Sequence, residues 1–190
     1  MMQLHMMKIC KEVKPYPLCA GYHFRTIDDS NPAEIMAWAE VCSHGLGSPD
    51  PAEKQYYDCI TKDPCIHSDK DVFFVVDDAT DEVVATLTAY VQSNGVGDIH
   101  MVAAKESVRG KKIGHAMLAH GLEHLAESGV YRAVLTTDDH RLAAVKSYLT
   151  AGFLPVYCDT DMIDRWTAVM DKLGWTERNF ITPDGEPYLP

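Results

Sequence analysis

The chain has 190 residues, 46% hydrophobic and 24% charged, with a formal net charge of −11. That length supports one domain with one sizeable core. The acidic balance excludes a non-specific nucleic-acid binder, which needs a basic face, and mildly favours cationic partners such as amines. No stretch approaches the ~20 apolar residues of a membrane span, so neither a nucleic-acid nor a membrane partner is expected.

Cysteines at 10, 19, 42, 59, 65 and 158 form no Cys-x-x-Cys pair. The first residues lack the long apolar core of a signal peptide, so reduced thiols in a cytoplasmic protein are expected. His115, His120 and His124 fall on one predicted helix, but only 120 and 124 share a face. With no further ligand at matching spacing, they read as a solvated helix face, and no metal is expected.

Residues 1–18, with Pro15 and Pro17, show no clear period and read as an extension. Alternation around Tyr22, Phe24 and Thr26 predicts a strand over 21–27. Asn31-Pro32 starts a helix through Ile35, Trp38 and Cys42, and Asp50-Pro51 starts a second, short one ending near Ile60. Strands over 72–76, 83–91 and 98–104, joined by polar turns, form an antiparallel meander. An apolar stripe at Ile113, Met117, Leu122 and Leu125 predicts a helix over 112–128, stopped by Gly129. A strand over 131–137 follows, which makes a parallel, right-handed strand–helix–strand crossover. Leu142, Val145 and Leu149 mark another helix, 153–157 a short strand, and 162–173 an amphipathic helix before an irregular tail.

The turn before the 112–128 helix is Arg109-Gly110-Lys111-Lys112-Ile113-Gly114. A glycine-bearing turn at a helix N-terminus leaves backbone N–H groups unpaired and adds the positive end of the helix dipole, which suits a phosphate or pyrophosphate. Three basic residues reinforce the sign.

This turn and the order of elements resemble the GNAT superfamily of acyl-CoA-dependent acyltransferases, over roughly residues 22–157. The family's phosphate loop is Gln/Arg-x-x-Gly-x-Gly/Ala; here it reads Arg109-x-x-Lys112-x-Gly114. Lysine replaces the middle glycine; it can still present its N–H if it sits at helical φ/ψ, and its charge suits a phosphate. Thirty residues on, the family often shows Asn-x-x-Ala-x-x-x-Tyr-x-x-x-Gly-Phe. This chain has Arg141-x-x-Ala144-x-x-x-Tyr148-x-x-x-Gly152-Phe153, with arginine where asparagine is usual.

The resemblance implies an α/β fold with a mixed, mainly antiparallel sheet of six or seven strands, flanked by helices on both faces. The GNAT domain would occupy 19–160, with 161–190 as a C-terminal helix and tail packed on it. The family's seventh strand usually follows the sixth; here a helix follows almost directly, so that strand is short, absent or supplied by 179–182. Acetyl-CoA would be the co-substrate, with no metal. The backbone of Val102, Ala103 and Ala104 would bind the pantetheine amides in a wedge between splayed strands, and Arg109, Gly110, Lys111, Lys112, Ile113 and Gly114 the pyrophosphate.

Tyr148 stands where the family commonly uses a general acid for the departing thiolate. Asp98, His100 and Val102 alternate onto one strand face, which makes Asp98 and His100 alternative bases for the incoming ammonium. Imidazole has the better ordinary pKa, about 6.5 against about 3.9. The implied activity is acetyl transfer to an amine of a small molecule by direct attack in a ternary complex, with a homodimer left open. Acylation of a protein or peptide amine, O-acylation, and a non-catalytic CoA-binding module are the alternatives. The spacings for a phosphate-loop NTPase or a Rossmann dinucleotide site are absent.

Overall fold

A computed structural model describes residues 3–10, 13–47 and 50–188. The strands are β1 (Leu4–Ile9), β2 (Tyr22–Thr26), β3 (Val72–Asp77), β4 (Glu82–Val91), β5 (Gly97–Ala104), β6 (Arg132–Thr137), β7 (Leu154–Pro155), β8 (Phe180–Ile181) and β9 (Pro187–Tyr188). The helices are α1 (Pro32–Ser43), α2 (Ala52–Tyr56), α3 (Ser68–Asp71), α4 (Ile113–Glu127), α5 (Leu142–Thr150) and α6 (Met162–Leu173). A π-helical turn, Tyr57–Thr61, continues α2, and a 3₁₀ turn, Glu106–Val108, follows β5.

Seven strands form one sheet in the order β2-β3-β4-β5-β6-β1-β7. Only β5 and β6 pair in parallel, as the single crossover through α4 requires. The meander β2–β5 is antiparallel throughout. The mixed, mainly antiparallel sheet anticipated from sequence is therefore present, with seven strands.

The origin of the seventh strand differs from expectation. Residues 1–18 read as an extension, yet β1 lies inside the sheet, antiparallel to β6 on one side and β7 on the other. Leu4 and Met6 are wholly buried. A six-residue strand carrying His5 and Lys8 shows too little alternation to stand out. Residues 180–181, the candidate for that place, instead pair with β9 in a small hairpin, joined to the sheet by the Val156–Ile181 bridge. The strand expected over 153–157 shortens to Leu154–Pro155 at the sheet edge, where proline's missing N–H leaves no inner ladder unpaired.

Helices cover both faces. On one, α4, α5 and α6 bury Met117, Leu125, Tyr148 and Trp166 against Leu87 and Ile99. On the other, α1 and α2 bury Trp38, Val41 and Tyr56 against Phe74 and Ala103. Gly121 lets α4 approach the sheet closely: a Cβ there would lie 2.7 Å from Leu87 Cδ2 and 3.3 Å from Ala89 Cβ. His120 and His124 do not form a solvated face. His120 stacks on Phe24 at 4.1 Å between centroids, and His124 meets the Asp71 carboxylate at 3.0 Å.

Candidate active site

The site grows from an interruption in β5. Its parallel ladder with β6 holds only at Gly97–Ala133 and Asp98–Val134, and beyond that the strands diverge. On the other edge, the register with β4 passes from Thr88–His100 to Thr86–Ala103, setting three steps of β5 against two of β4. This is a β-bulge, with Met101 at φ 48°, in the left-handed region. Ile99, Val102 and Ala104 consequently pack on the α4 side, and Met101 and Ala103 on the α1 side. The expectation that Val102 shares a face with Asp98 and His100 is thereby corrected, because strict alternation does not survive a bulge.

The turn after β5 holds a second departure. Lys112 lies in the left-handed region, at φ 60° and ψ 19°, so the condition of helical φ/ψ is not met, yet its N–H is still left open. Glycine is the residue that adopts this conformation freely, which accounts for the family's preference at that position. Gly110 also has a positive φ, 84°. The Arg109 N–H donates to the Glu106 carbonyl at 3.0 Å, and that of Lys111 to the Val108 carbonyl at 3.2 Å. Among the described residues the N–H groups of Gly110, Lys112, Ile113 and Gly114 find no acceptor. These four make the cradle.

The basic side chains around it do not act together. Lys111 Nζ turns away to the Tyr22 hydroxyl and ring, and Arg109 is exposed and pairs with Glu106 at 3.1 Å. Turn and wedge open into one cleft of about 730 Å³, lined by Val102, Ala104, Lys112, Gly114, Arg141 and Tyr148 among others. Lys105 anchors one wall. Its buried Nζ lies 2.7 Å from both Glu40 and Glu82, tying α1 to β4, so that His44 and Gly45 at the end of α1 border the cleft.

Tyr148 is 3% exposed, its ring edge-on to Phe153 at 6.3 Å. Burial raises its pKa above the ordinary phenol value, against an opposing pull from the nearby Arg141 charge, so the hydroxyl keeps its proton at neutral pH. Among the described residues that hydroxyl has no hydrogen-bond partner.

Asp98 and His100 stand apart from the cleft lining, on strand positions before the bulge. Asp98 accepts from Gln92 Nε2 at 2.6 Å and from the Tyr90 hydroxyl at 3.5 Å. Burial raises its pKa, while Gln92 and the neighbouring His100 pull it down. His100 Nε2 lies 3.2 Å from the Cys59 carbonyl. A carbonyl only accepts, so in the neutral ring Nε2 carries the hydrogen and Nδ1 keeps a free lone pair.

Arg141 was not among the candidate site residues, although its place in the α5 motif departs from the usual asparagine. One guanidinium nitrogen, Nη2, donates to the Val102 carbonyl at 3.0 Å across the wedge. Among the described residues no group of three or more His, Cys, Asp or Glu is placed to hold a metal ion, and no helix is long and apolar enough to cross a membrane.

A splayed parallel pair, a bulge and a bare-amide turn opening a helix make up a GNAT-type fold. The acetyltransferase (GNAT) family model matches residues 33–153, well over half of the chain, and the chain belongs to that family. Over 64 residues it is 33% identical to a mycothiol acetyltransferase of Nocardia farcinica, a match covering 34% of this chain and 21% of that protein. Over 67 residues it is 34% identical to one from Sanguibacter keddieii, covering 35% and 21%. The match thus spans about a fifth of the length of these relatives. Among solved structures, a GCN5-related N-acetyltransferase from Sphaerobacter thermophilus superposes with a TM-score of 0.66 at 22% identity, covering 80% of this chain and 47% of that one. The ribosomal-protein-S18-alanine N-acetyltransferase of Escherichia coli superposes at 0.54 and 14% identity, covering 69% and 76%. At these identities the likeness is one of fold.

Proposed function

We propose that this chain transfers an acetyl group from acetyl-CoA to an amine of a small molecule, by direct attack with both substrates bound. One observation carries the reading: two open backbone surfaces meet in a single cleft. The first is the set of four bare N–H groups at the head of α4, which suits a pyrophosphate. The second is the unpaired edge of β5 beyond Asp98, which suits an extended chain bearing amides, as another strand would. Acetyl-CoA carries both features in one molecule.

In this reading Val102, Ala103 and Ala104 bind the pantetheine amides through their backbone. Arg109, Gly110, Lys111, Lys112, Ile113 and Gly114 form the pyrophosphate turn, with Lys112 adding charge from the cleft wall. A backbone N–H at the bulge polarises the thioester carbonyl in the manner of an oxyanion hole. Tyr148, kept protonated by burial, gives its proton to the departing thiolate. Either His100 or Asp98, both on positions before the bulge, takes the one proton that the ammonium must lose before attack. Holding amine and thioester in line supplies most of the rate.

Direct attack is favoured over a covalent acyl-enzyme by the state of the nearby thiols. Burial pushes Cys42 far above, and Cys59 above, the ordinary thiol range, so neither supplies a thiolate nucleophile at neutral pH. The relatives named for mycothiol, and not for a protein acceptor, support a small-molecule acceptor. The test is thiol release from acetyl-CoA across a panel of primary amines, with products identified by mass spectrometry. Amine-dependent release with acetyl on nitrogen is expected. Release that no amine stimulates, or acetyl found only on hydroxyls or on protein, overturns the reading.

A further inference from the structure

Arg141 presents a charge that nothing among the described residues neutralises. Its guanidinium has five N–H donors, of which one is used, on the neutral carbonyl of Val102. It forms no ion pair with any carboxylate of the described residues, although the chain carries an excess of 11 negative charges. Arg25, Arg165 and Arg178, by contrast, each grip a carboxylate.

The place of this charge separates it from the phosphate cradle. Ser147, one side of α5, faces Gly114: a Cβ on that glycine would meet Ser147 Oγ at 4.0 Å. Arg141 precedes Ser147 by six residues, about 9 Å along the helix axis. The guanidinium is fixed beside the bulge, and a Cβ on Gly45 would come within 3.7 Å of Nη2. It also lies near enough to Tyr148 to pull down that residue's pKa. In the proposed reading this is the end of the cleft where the acyl group and the amine meet. Glu106, the acidic side chain on the cleft wall, is engaged by Arg109. A half-buried guanidinium with free donors matches a planar two-oxygen anion, which it grips with two parallel hydrogen bonds.

We infer that Arg141 binds a carboxylate carried by one of the two substrates, so that the enzyme selects either an amine bearing a carboxylate, such as an amino acid, or an acyl group ending in one. This rests on the reading above of the cleft as the site of acyl transfer from a CoA thioester to an amine, and specifies which of the two substrates carries a carboxylate.

Two matched pairs test it. The acceptor pair is an α-amino acid and the amine left by its decarboxylation; the donor pair is succinyl-CoA and acetyl-CoA. The wild-type kcat/KM should favour the carboxylate-bearing member of one pair by at least tenfold, mainly through KM, and the pair that responds identifies the source. In Arg141→Gln the ratio should fall to near one, and Arg141→Lys, which keeps the charge without the fork, should recover part of it. No tenfold preference in either pair, or one that survives Arg141→Gln, overturns the proposal. Should no acceptor be acylated, thermal shifts of the CoA-loaded protein with the same acceptors, and of the free protein with the two donors, decide. A shift specific to the carboxylate-bearing ligand, lost in Arg141→Gln, supports the carboxylate site while the acetyltransferase reading falls. No such shift overturns the carboxylate site itself.

Discussion

His100 and Val102, two residues apart on β5, face opposite sides of the sheet, because Met101 between them takes a left-handed φ of 48°. His100 reaches the Cys59 carbonyl on the α2 side, while Val102 lines the cleft on the α4 side. One bulge thus separates the candidate bases from the proposed acyl-donor site while keeping them on one strand. In the proposed reaction this would set the base beside the incoming amine nitrogen, with the thioester carbon it attacks on the other side of the strand.

In the proposed site, Gly114 is a position where the ligand, and not the fold, would object to a side chain. A Cβ there meets nothing closer than Ser147 Oγ at 4.0 Å, so Gly114→Asp should fold normally. Its carboxylate would face the pyrophosphate and weaken CoA binding by well over tenfold, at more than ~1.4 kcal/mol. Calorimetry showing unchanged CoA affinity would remove the turn from the binding site.

Lys112 holds a backbone conformation that costs a side-chain-bearing residue about 1–2 kcal/mol, and glycine's extra freedom when unfolded costs roughly 0.5–1 kcal/mol in return. Lys112→Gly should therefore leave the melting temperature unchanged or slightly higher. CoA affinity should fall by less than about fivefold, since the cradle N–H groups remain and one exposed charge is worth about 1 kcal/mol or less. Lys112→Val, β-branched at positive φ, should lose about 1–3 kcal/mol. Equal stability of the two variants would contradict the left-handed assignment.

The cradle and the α5 motif were legible because they are local: six consecutive residues, and one helix face read at fixed spacing. The meander was legible for the same reason, with polar turns between apolar runs. β1 was not, because what makes six residues at the chain start a central strand is a partner more than 120 residues away, Thr137 against Leu4. The bulge was hidden too, since strand parity is the assumption by which faces are read, and Met101 carries no mark of breaking it. Lys112 occupied a glycine position in the motif. The same substitution that departed from the pattern marked one of the two positive-φ backbones in the turn, the other being Gly110.

Tyr148→Phe removes a hydroxyl that has no hydrogen-bond partner among the described residues and keeps the ring against Phe153. Stability and CoA affinity should hold, while turnover falls by roughly 10²- to 10⁴-fold. Near-full turnover under conditions where chemistry limits the rate would return Tyr148 to a packing role.

Asp98 gives a pH signature of definite sign. Burial raises its folded-state pKa above the unfolded value of about 3.9. Its protonated form is thus favoured by folding, and this contribution is complete below pH ~3.9 and lost as pH rises through the raised value. Asp98→Asn keeps an oxygen for Gln92 and carries no charge to bury. The stability of the variant relative to wild type should stay flat below pH ~3.9, climb as pH rises through the folded pKa, and then level off. Denaturant unfolding across this range measures it, and a relative stability that drops with rising pH would show a carboxylate held below its ordinary pKa.

In the proposed reaction acetyl passes directly from thioester to amine in one cleft, with no acetylated protein between. Two-substrate initial rates, varying acetyl-CoA at several fixed concentrations of a responsive amine, test it directly. Intersecting reciprocal lines, with no acetyl label retained by protein incubated with labelled acetyl-CoA alone, are the predicted result. Parallel lines together with acetyl bound to Cys42 or Cys59 would contradict it.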